Sequence, residues 1–452
     1  MIQSAEQIEI TVLKKITPTP AEKKQLADII TSLKNKVMKE INKTRIPITI
    51  ELVGSIAKDT FIRTAVDIDL FLLFPPTTPR EILEEKGLII GRAILKEQEE
   101  CFAEHPYVRG LFKGYKTEIV PCYKIEDASQ KLSAVDRTPL HTRYIEEHLK
   151  ESQKKDVRLF KQFLKGIGCY GAEAEIEGFS GYLTEIIVLK YGTFQHLIQQ
   201  VQQWKYGEKL TLQPGGYPDF TTPLTFIDPV DPERNVASAV SNQKFNLLIQ
   251  ACKEYKKNPR LTFFFPNELK PKSLQEIKKE IGTREYIGVR FPKPEIIPEN
   301  LYPQIRKAVR VIRELCEQYG FTIIDATFAV EKNDVYIILQ PTTKTISKTV
   351  LHPGPPVSLK RNADDFLKKW RDNRKTIQKP FEKENRWYVE IEREYIEIQE
   401  LLEEHVRQLS LGKNINGDIS KKLTIVNTND LLTENLQLFW TGYLDLRRTW
   451  ER

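Results

Sequence analysis

LVGSIAKDTFIRTAVDIDLFLLF, residues Leu52–Phe74, decides how the rest of this chain is read. A β-branched run, Ile48–Val53, enters Gly54-Ser55, where the pattern predicts a strand that turns directly into a short helix. Glycine lets a phosphate approach the backbone, serine supplies a hydroxyl, and the first turn of a helix supplies free N–H donors. Lys58, one turn further on, adds a positive charge for the same anion. Alone, a Gly-Ser turn before a helix is a weak signal. The next strand strengthens it. Asp67 and Asp69 stand two residues apart among the apolar Ile68, Leu70, Leu72 and Leu73. The two-residue period of a strand puts both carboxylates on one face. Like charges in an apolar strand are costly unless cations neutralise them. Hard divalent ions with oxygen ligands, Mg²⁺ above all, answer that need. An isolated D-x-D would more simply be a strand end facing water; its place after Gly-Ser, with another acidic strand downstream, reverses that preference. The downstream strand is KTEIVPCY, residues Lys116–Tyr123, with Glu118 as its acid. Three carboxylates can hold two metal ions, one for an attacking hydroxyl and one for a triphosphate and its leaving group. That chemistry is nucleotidyl transfer from an NTP to a hydroxyl, and it requires no covalent nucleophile.

Outward from this core, Thr19-Pro20-Ala21-Glu22 predicts a capped helix start. Leu26, Ile29, Ile30, Leu33, Val37 and Ile41 form its apolar face. Strands are expected at Ile48–Val53, Val66–Phe74 and Thr117–Tyr123, with helix between, as at Pro79–Gln98, giving an α/β domain that ends near residue 150. From Lys154 to about Lys257 the pattern is mainly helical, broken by the Gly- and Pro-rich segment Gln213–Pro223. Beyond it, a strand at Tyr286–Phe291, a helix at Leu301–Tyr319 and a hairpin of Phe321–Val330 with Val335–Gln340 predict a split-βαβ unit, a kind that often carries RNA on its sheet. The last ninety residues are expected to be helices packing back on this body.

Composition sets the outer limits. The chain has 452 residues, 40% hydrophobic and 29% charged, which describes a folded chain of several domains rather than a disordered or fibrous one. No apolar run approaches the roughly 20 residues of a membrane helix, and the opening MIQSAEQIEI lacks the order of a secretion signal, so a cytoplasmic protein without a membrane partner is expected. The five cysteines are widely spaced and odd in number, against a disulfide framework or zinc site. A net charge of +7 permits an anionic partner without requiring one.

Further stretches carry a family resemblance: AEHPYVRG (Ala103–Gly110), IVPCYK (Ile119–Lys124), SAVDRTPLH (Ser133–His141), VRLFKQFLK (Val157–Lys165), YGAE (Tyr170–Glu173), GFSGYLTE (Gly178–Glu185), DPVDPERNVASAVS (Asp228–Ser241), FPKPEII (Phe291–Ile297) and NLYPQ (Asn300–Gln304). Together with GS…DID they resemble the archaeal class I CCA-adding enzymes, tRNA nucleotidyltransferases of the polymerase-β-like superfamily. The resemblance implies an α+β multidomain fold: a nucleotidyltransferase catalytic domain with its N-terminal helix over 1–150, a mainly helical central domain over 151–260, and a C-terminal α+β region with the split-βαβ-like unit over 261–452 that binds tRNA. It implies template-independent addition of C, C and A to the tRNA acceptor end from CTP and ATP, with pyrophosphate leaving, and repair of damaged ends; a homodimer is compatible with it. Asp67, Asp69 and Glu118 match the ligands of two Mg²⁺ ions, and Ser55 and Lys58 match triphosphate-binding positions. His141, Lys161 and Tyr170 match contacts to the nucleotide's phosphates and sugar, and Arg234 matches the arginine that recognises the base. Some relatives carry Arg at Lys58 and Glu at Asp67, and Asp is more usual at Glu118. Without the family pattern, His141 is a surface or N-cap histidine, Tyr170 a core aromatic, Lys161 a solvated helix lysine, and Arg234 a loop brace through Asp228 or Asp231. Two other functions use the same elements: a poly(A)-type or other nucleotidyltransferase on this core, and a non-catalytic RNA-binding relic. Retention of three costly carboxylates disfavours the relic.

Overall fold

Leu26, Ile29, Ile30, Leu33, Val37 and Ile41, the apolar stripe behind Thr19-Pro20, are all buried, and Thr19 and Glu22 close the capping box that starts their helix. The computed structural model describes residues 4–102 and 104–452, so the first three residues of the opening stretch and Ala103, the first residue of AEHPYVRG, lie outside the described residues. The chain forms two compact units, one of residues 1–268 with 447–452, the other of residues 269–446.

The first unit opens with α1 (Ala5–Ile16), which the sequence pattern had not marked, and α2 (Pro20–Thr44). There follow β1 (Thr49–Val53), the four-residue α3 (Gly54–Ala57), β2 (Asp67–Phe74), α4 (Arg80–Ile94), β3 (Lys96–Phe102), β4 (Pro106–Phe112) and β5 (Tyr115–Tyr123). The sheet order is β1-β2-β5-β4-β3, with β2 and β5 parallel and the other neighbours antiparallel. Residues 96–98, expected as the end of a helix, belong to β3. This strand, KEQEECF, is polar on both faces and pairs only with β4, so an edge position suits it and no apolar alternation announces it. Ile68, Leu70, Leu72 and Phe74 join α2 and α4 in the main core on one side of the sheet. On the other side Val53, Phe71, Leu73, Val120 and Cys122 form a smaller cluster, and the odd-numbered Asp67 and Asp69 extend that face.

The helical part contains α5 (Arg137–His148), α6 (Lys154–Gly166), α7 (Gly181–Tyr191), α8 (Phe194–Val201), a pair of short parallel strands, β6 (Glu208–Leu210) and β7 (Leu224–Phe226), and α9 (Asn242–Lys257). The Gly- and Pro-rich break expected at Gln213–Pro223 is the connection between β6 and β7. Phe160, Phe163, Phe194, Tyr255 and Phe263 centre the core of these helices. Trp450 completes it, its ring stacked 5.3 Å from that of Phe263 and its indole N–H donated to Glu254 at 2.7 Å.

The second unit holds α10 (Leu274–Ile281), β8 (Ile287–Pro292), α11 (Pro298–Gln318), β9 (Ile323–Val330) and β10 (Asp334–Pro341). Strand β10 lies antiparallel between β8 and β9, so β8 and β9 are parallel and split, as the sequence pattern predicts. Next come β11 (Thr349–Pro356), α12 (Lys360–Trp370), β12 (Thr376–Lys383), β13 (Arg386–Glu392), α13 (Ile398–His405), α14 (Asp418–Lys421), β14 (Thr424–Asn427), which extends the first sheet beside β8, and α15 (Gln437–Leu444). Two expectations change here. The last ninety residues are not all helical: β12 and β13 form a hairpin that β11 completes into a three-stranded sheet. Its two-residue turn, Glu384-Asn385, has both residues left-handed (φ 52° and 60°), the geometry of a tight hairpin without the Asn-Gly pair that usually signals it. In addition, the split-βαβ sheet is covered on both faces. Helices α11 and α13 pack on Ile287, Val289 and Phe291, and α10 and α15 pack on Ala329, Tyr336 and Ile338. Among the described residues, helices therefore lie on both faces of this sheet.

Candidate active site

The turn after β1 places its backbone against β2. Gly54 sits at φ 75°, and a Cβ there would lie 2.1 Å from Asp69 Oδ2. Glycine is therefore required twice, for the left-handed backbone and for the approach of the carboxylate. The Gly54 N–H is donated to Thr142 Oγ1 of α5 at 3.4 Å, and Ser55 accepts the Thr60 N–H at its carbonyl.

Asp67 and Asp69 share a face of β2, and Glu118 is the register partner of Asp69 on β5. Glu118 is in turn the register partner of Arg109 on β4, whose Nε donates to Glu118 Oε1 at 2.7 Å. Burial, followed by the charges of Glu118 and Asp67, pushes Asp69 up to about 7. Negative charge is in excess there, and a cation is the natural relief. The donors are all carboxylate oxygens, the set preferred by hard divalent ions. Asp67 and Asp69 fit such an ion. Among the described residues no three acidic, His or Cys side chains converge as a ready metal cage, and Glu118 is engaged by Arg109. A cavity of about 540 Å³ opens on this edge, lined by Asp67, Arg109, Lys116, Glu118 and Glu173 among others.

Two buried carboxylates organise most of the remaining candidates. Glu185 of α7 accepts Lys58 Nζ at 2.5 Å, Lys161 Nζ at 2.9 Å and Thr60 Oγ1 at 2.6 Å. Burial alone would raise its pKa, but the two ammonium groups and their hydrogen bonds hold it at about 2. Lys58 is shifted downward by burial, with Glu185 opposing. Asp228, fully buried, accepts His141 Nε2 and an Arg234 guanidinium N–H, each at 2.8 Å, together with the Tyr182 hydroxyl at 3.1 Å. Burial again opposes ionisation, yet His141 and Arg234 hold Asp228 at about 2. The His141 ring stacks on Tyr182 at 4.0 Å, and burial lowers its pKa despite Asp228. Asp231, the other brace considered for Arg234, instead takes Lys131 and Arg137.

The structure thus gathers Asp67, Asp69 and Glu118 on one sheet face, Lys58 and Lys161 on Glu185, and His141 and Arg234 on Asp228. Tyr170 joins neither carboxylate: it bridges to Phe179, and Lys165 Nζ lies 5.3 Å from its ring centre. Glu185, Thr60, Tyr182 and Arg109 were not among the residues the sequence singled out. Glu185 had a readable signal, an acid inside the apolar run Leu183–Leu189, the same anomaly that exposes Asp67 and Asp69.

Comparison with known proteins follows the same order along the chain. The nucleotidyltransferase domain family matches residues 34–141, the second domain of tRNA nucleotidyltransferases matches residues 155–265, and the C-terminal domain of CCA-adding enzymes matches residues 281–428. The CCA-adding enzyme of Methanosarcina acetivorans is 34% identical over 432 residues, covering 94% of this chain and 95% of its own. That of Methanothermobacter thermautotrophicus is 35% identical over 439 residues, with 94% of each chain covered. That of Archaeoglobus fulgidus is 35% identical over 391 residues, covering 84% of this chain and 87% of its own. Relatives aligned over nearly the whole length, with three domain families in succession, mean that this chain belongs to the archaeal CCA-adding enzymes.

Proposed function

We propose that this chain builds the CCA end of tRNA, adding C, C and A in turn from CTP and ATP without a nucleic-acid template, and that it restores that end when it is damaged. Each addition forms a phosphodiester between the RNA 3′ oxygen and the α-phosphorus of the nucleotide, breaks the α–β phosphoanhydride, and releases pyrophosphate. The observation that carries this reading is the adjacency of Asp67, Asp69 and Glu118 on one sheet face, with the Asp69 carboxylate set against Gly54.

Nucleotidyltransferases of this family generally work with divalent metal ions, and here the reading is two Mg²⁺ held by Asp67, Asp69 and Glu118. When bound, such ions supply charge neutralisation at the triphosphate and activation of the 3′ hydroxyl. The chain's own side chains hold the nucleotide. Ser55 and Lys58 face the triphosphate, and Lys161, His141 and Tyr170 serve its phosphates and sugar. Arg234 offers a planar fork of donors. That fork can donate to the unprotonated ring nitrogen of cytosine or adenine but meets an N–H in uracil or guanine, and a tRNA phosphate can accept from the amine that C and A share.

We assign catalysis to residues 1–150, a helical neck to 151–260 and tRNA contacts to 261–452, and place the reaction in the cytoplasm. No helix among the described residues is long and apolar enough to cross a membrane. The test is incubation of the chain with tRNA lacking CCA, Mg²⁺ and each nucleotide separately and together, followed by sequencing of the 3′ end. Stepwise C, C, A is expected. Runs of A alone, or equal use of UTP, would favour the generic polymerase reading.

A further inference from the structure

Glu185 lies at 0% exposure in α7, with Ile186, Ile187 and Val188 beside it all buried. It joins three parts of the first unit: Lys58 and Thr60 from the segment after α3, Lys161 from α6, and its own helix. Two ammonium groups hydrogen-bond to this one carboxylate, and the further negative charge that acts on Lys58, Asp69, accepts no hydrogen bond from it.

The hydrogen bonds show which ammonium keeps unused donors. An ammonium has three N–H donors. Lys161 uses all three, on Glu185 Oε1 at 2.9 Å, Thr60 Oγ1 at 3.0 Å and the Thr60 carbonyl at 3.3 Å. Among the described residues Lys58 has one hydrogen-bond acceptor, Glu185 Oε2; the Tyr182 ring lies 6.0 Å away, and Asp69 acts on it by charge alone. Lys58 therefore keeps donors for an anion from outside the chain, and Glu185 determines where those donors stand. Lys161 and Thr60 fix the opposite oxygen of the same carboxylate, so its plane cannot turn.

We propose that Glu185 is a positioning residue for the nucleotide triphosphate: anchored by Lys161 and Thr60, it presents Lys58 to the phosphates, and the bound nucleotide takes the donors that Lys58 leaves unused. The proposal rests on the triphosphate reading of Lys58 given above. An aspartate would keep the charge but withdraw the carboxylate by one methylene. A glutamine would keep the shape and remove the charge.

The experiment is equilibrium binding of CTP and of cytidine, which has no phosphate, to the full chain at fixed Mg²⁺, for the unsubstituted protein, Lys58→Met, Glu185→Gln, Glu185→Asp and the double variant of Lys58→Met with Glu185→Gln. Lys58→Met should weaken CTP about tenfold or more and leave cytidine within about twofold. If it does not, the triphosphate reading itself fails, whatever Glu185 does. Glu185→Gln should weaken CTP by a similar factor and again spare cytidine. The double variant should be no weaker than Lys58→Met alone, because the two residues act as one unit. A residue serving packing alone would weaken both ligands alike. Should Glu185→Gln not fold, Glu185→Asp carries the test, with a loss of several-fold for CTP only. CTP affinity within about twofold of the unsubstituted protein in either Glu185 variant, or multiplicative losses in the double variant, overturns the proposal.

Discussion

Replacing Asp228 with Asn should both destabilise the first unit and loosen base selection. Asp228 is fully buried and accepts four hydrogen bonds: from His141, Arg234, the Tyr182 hydroxyl and the backbone N–H of Val230. Its carboxyl is held at about 2 against an ordinary value of 3.8. A difference of that size corresponds to ~2–3 kcal/mol favouring the ionised form in the fold. For an acid with a lowered native pKa this contribution is fully present above pH 3.8 and is lost as pH falls through about 2, so an assay at pH 7 registers all of it. Asparagine keeps one acceptor oxygen but turns an N–H₂ toward donors that already need acceptors, which adds ~1–3 kcal/mol for an unsatisfied group. Arg234 is one-third exposed, so its share is discounted for solvent screening. The net expectation is a loss of ~2–4 kcal/mol, or roughly 3–8 °C in Tm for a unit of this size. Calorimetric unfolding reads the first quantity. Single-turnover addition with each of the four nucleotides reads the second, where CTP and ATP should lose rate and part of their advantage over UTP. A Tm within about 2 °C of the unsubstituted chain, together with full discrimination, would refute the idea that Asp228 anchors both His141 and Arg234.

Asp69→Asn should abolish nucleotide addition while tRNA binding persists, because RNA affinity rests on dispersed phosphate contacts; gel-shift and extension assays on the same preparation check this, and retained turnover would remove the basis of the mechanism. Gly54→Ala should damage the same step, since its Cβ would lie 2.1 Å from Asp69 Oδ2 at a φ of 75°; extension rates near normal would show that the turn is not held against β2. Glu9 is pushed up to about 7 by burial, although Tyr255 and Gln195 bond to it. For an acid with a raised native pKa, stability falls as pH rises from about 4.5 to about 7, so Glu9→Gln should gain ~1–2 kcal/mol over the unsubstituted chain at pH 8 and little at pH 4, after discounting for partial exposure; parallel Tm curves would contradict it. Trp450→Ala should cost ~3–5 kcal/mol, because it empties the stack on Phe263 and strands Glu254; a loss below about 1 kcal/mol in thermal unfolding would mean that the tail is not part of that core.

The second unit shows where sequence patterns mislead. The split-βαβ order is plain in the alternation of Ile287–Pro292 and Asp334–Pro341 around an amphipathic helix, and the sheet forms with that topology. What the alternation cannot say is what covers each face. Helix α15 comes about one hundred residues after β10, and with α10 it closes the face on which RNA would have been sought. Which faces of this sheet stay open therefore depends on elements remote in sequence.

Read by itself, the sequence already determined β1, β2 and β5 of the five-stranded sheet and the likeness of their acidic face to that of a nucleotidyltransferase. Strand periodicity places Asp67 and Asp69 together because that relation spans two residues, and Gly54 is readable because its backbone need is local. The capping box at Thr19 and the apolar stripe of α2 are local for the same reason. Only the tertiary structure decided how the charges are partnered. Lys58, Lys161 and Glu185 lie on separate elements, His141 of α5 reaches Asp228 in the loop after β7, where Arg234 is the brace the sequence already offered, and Arg109 reaches Glu118 from the neighbouring strand. Which ammonium meets which carboxylate depends on through-space distance and on how far burial strengthens each interaction, and neither quantity has a period along the chain.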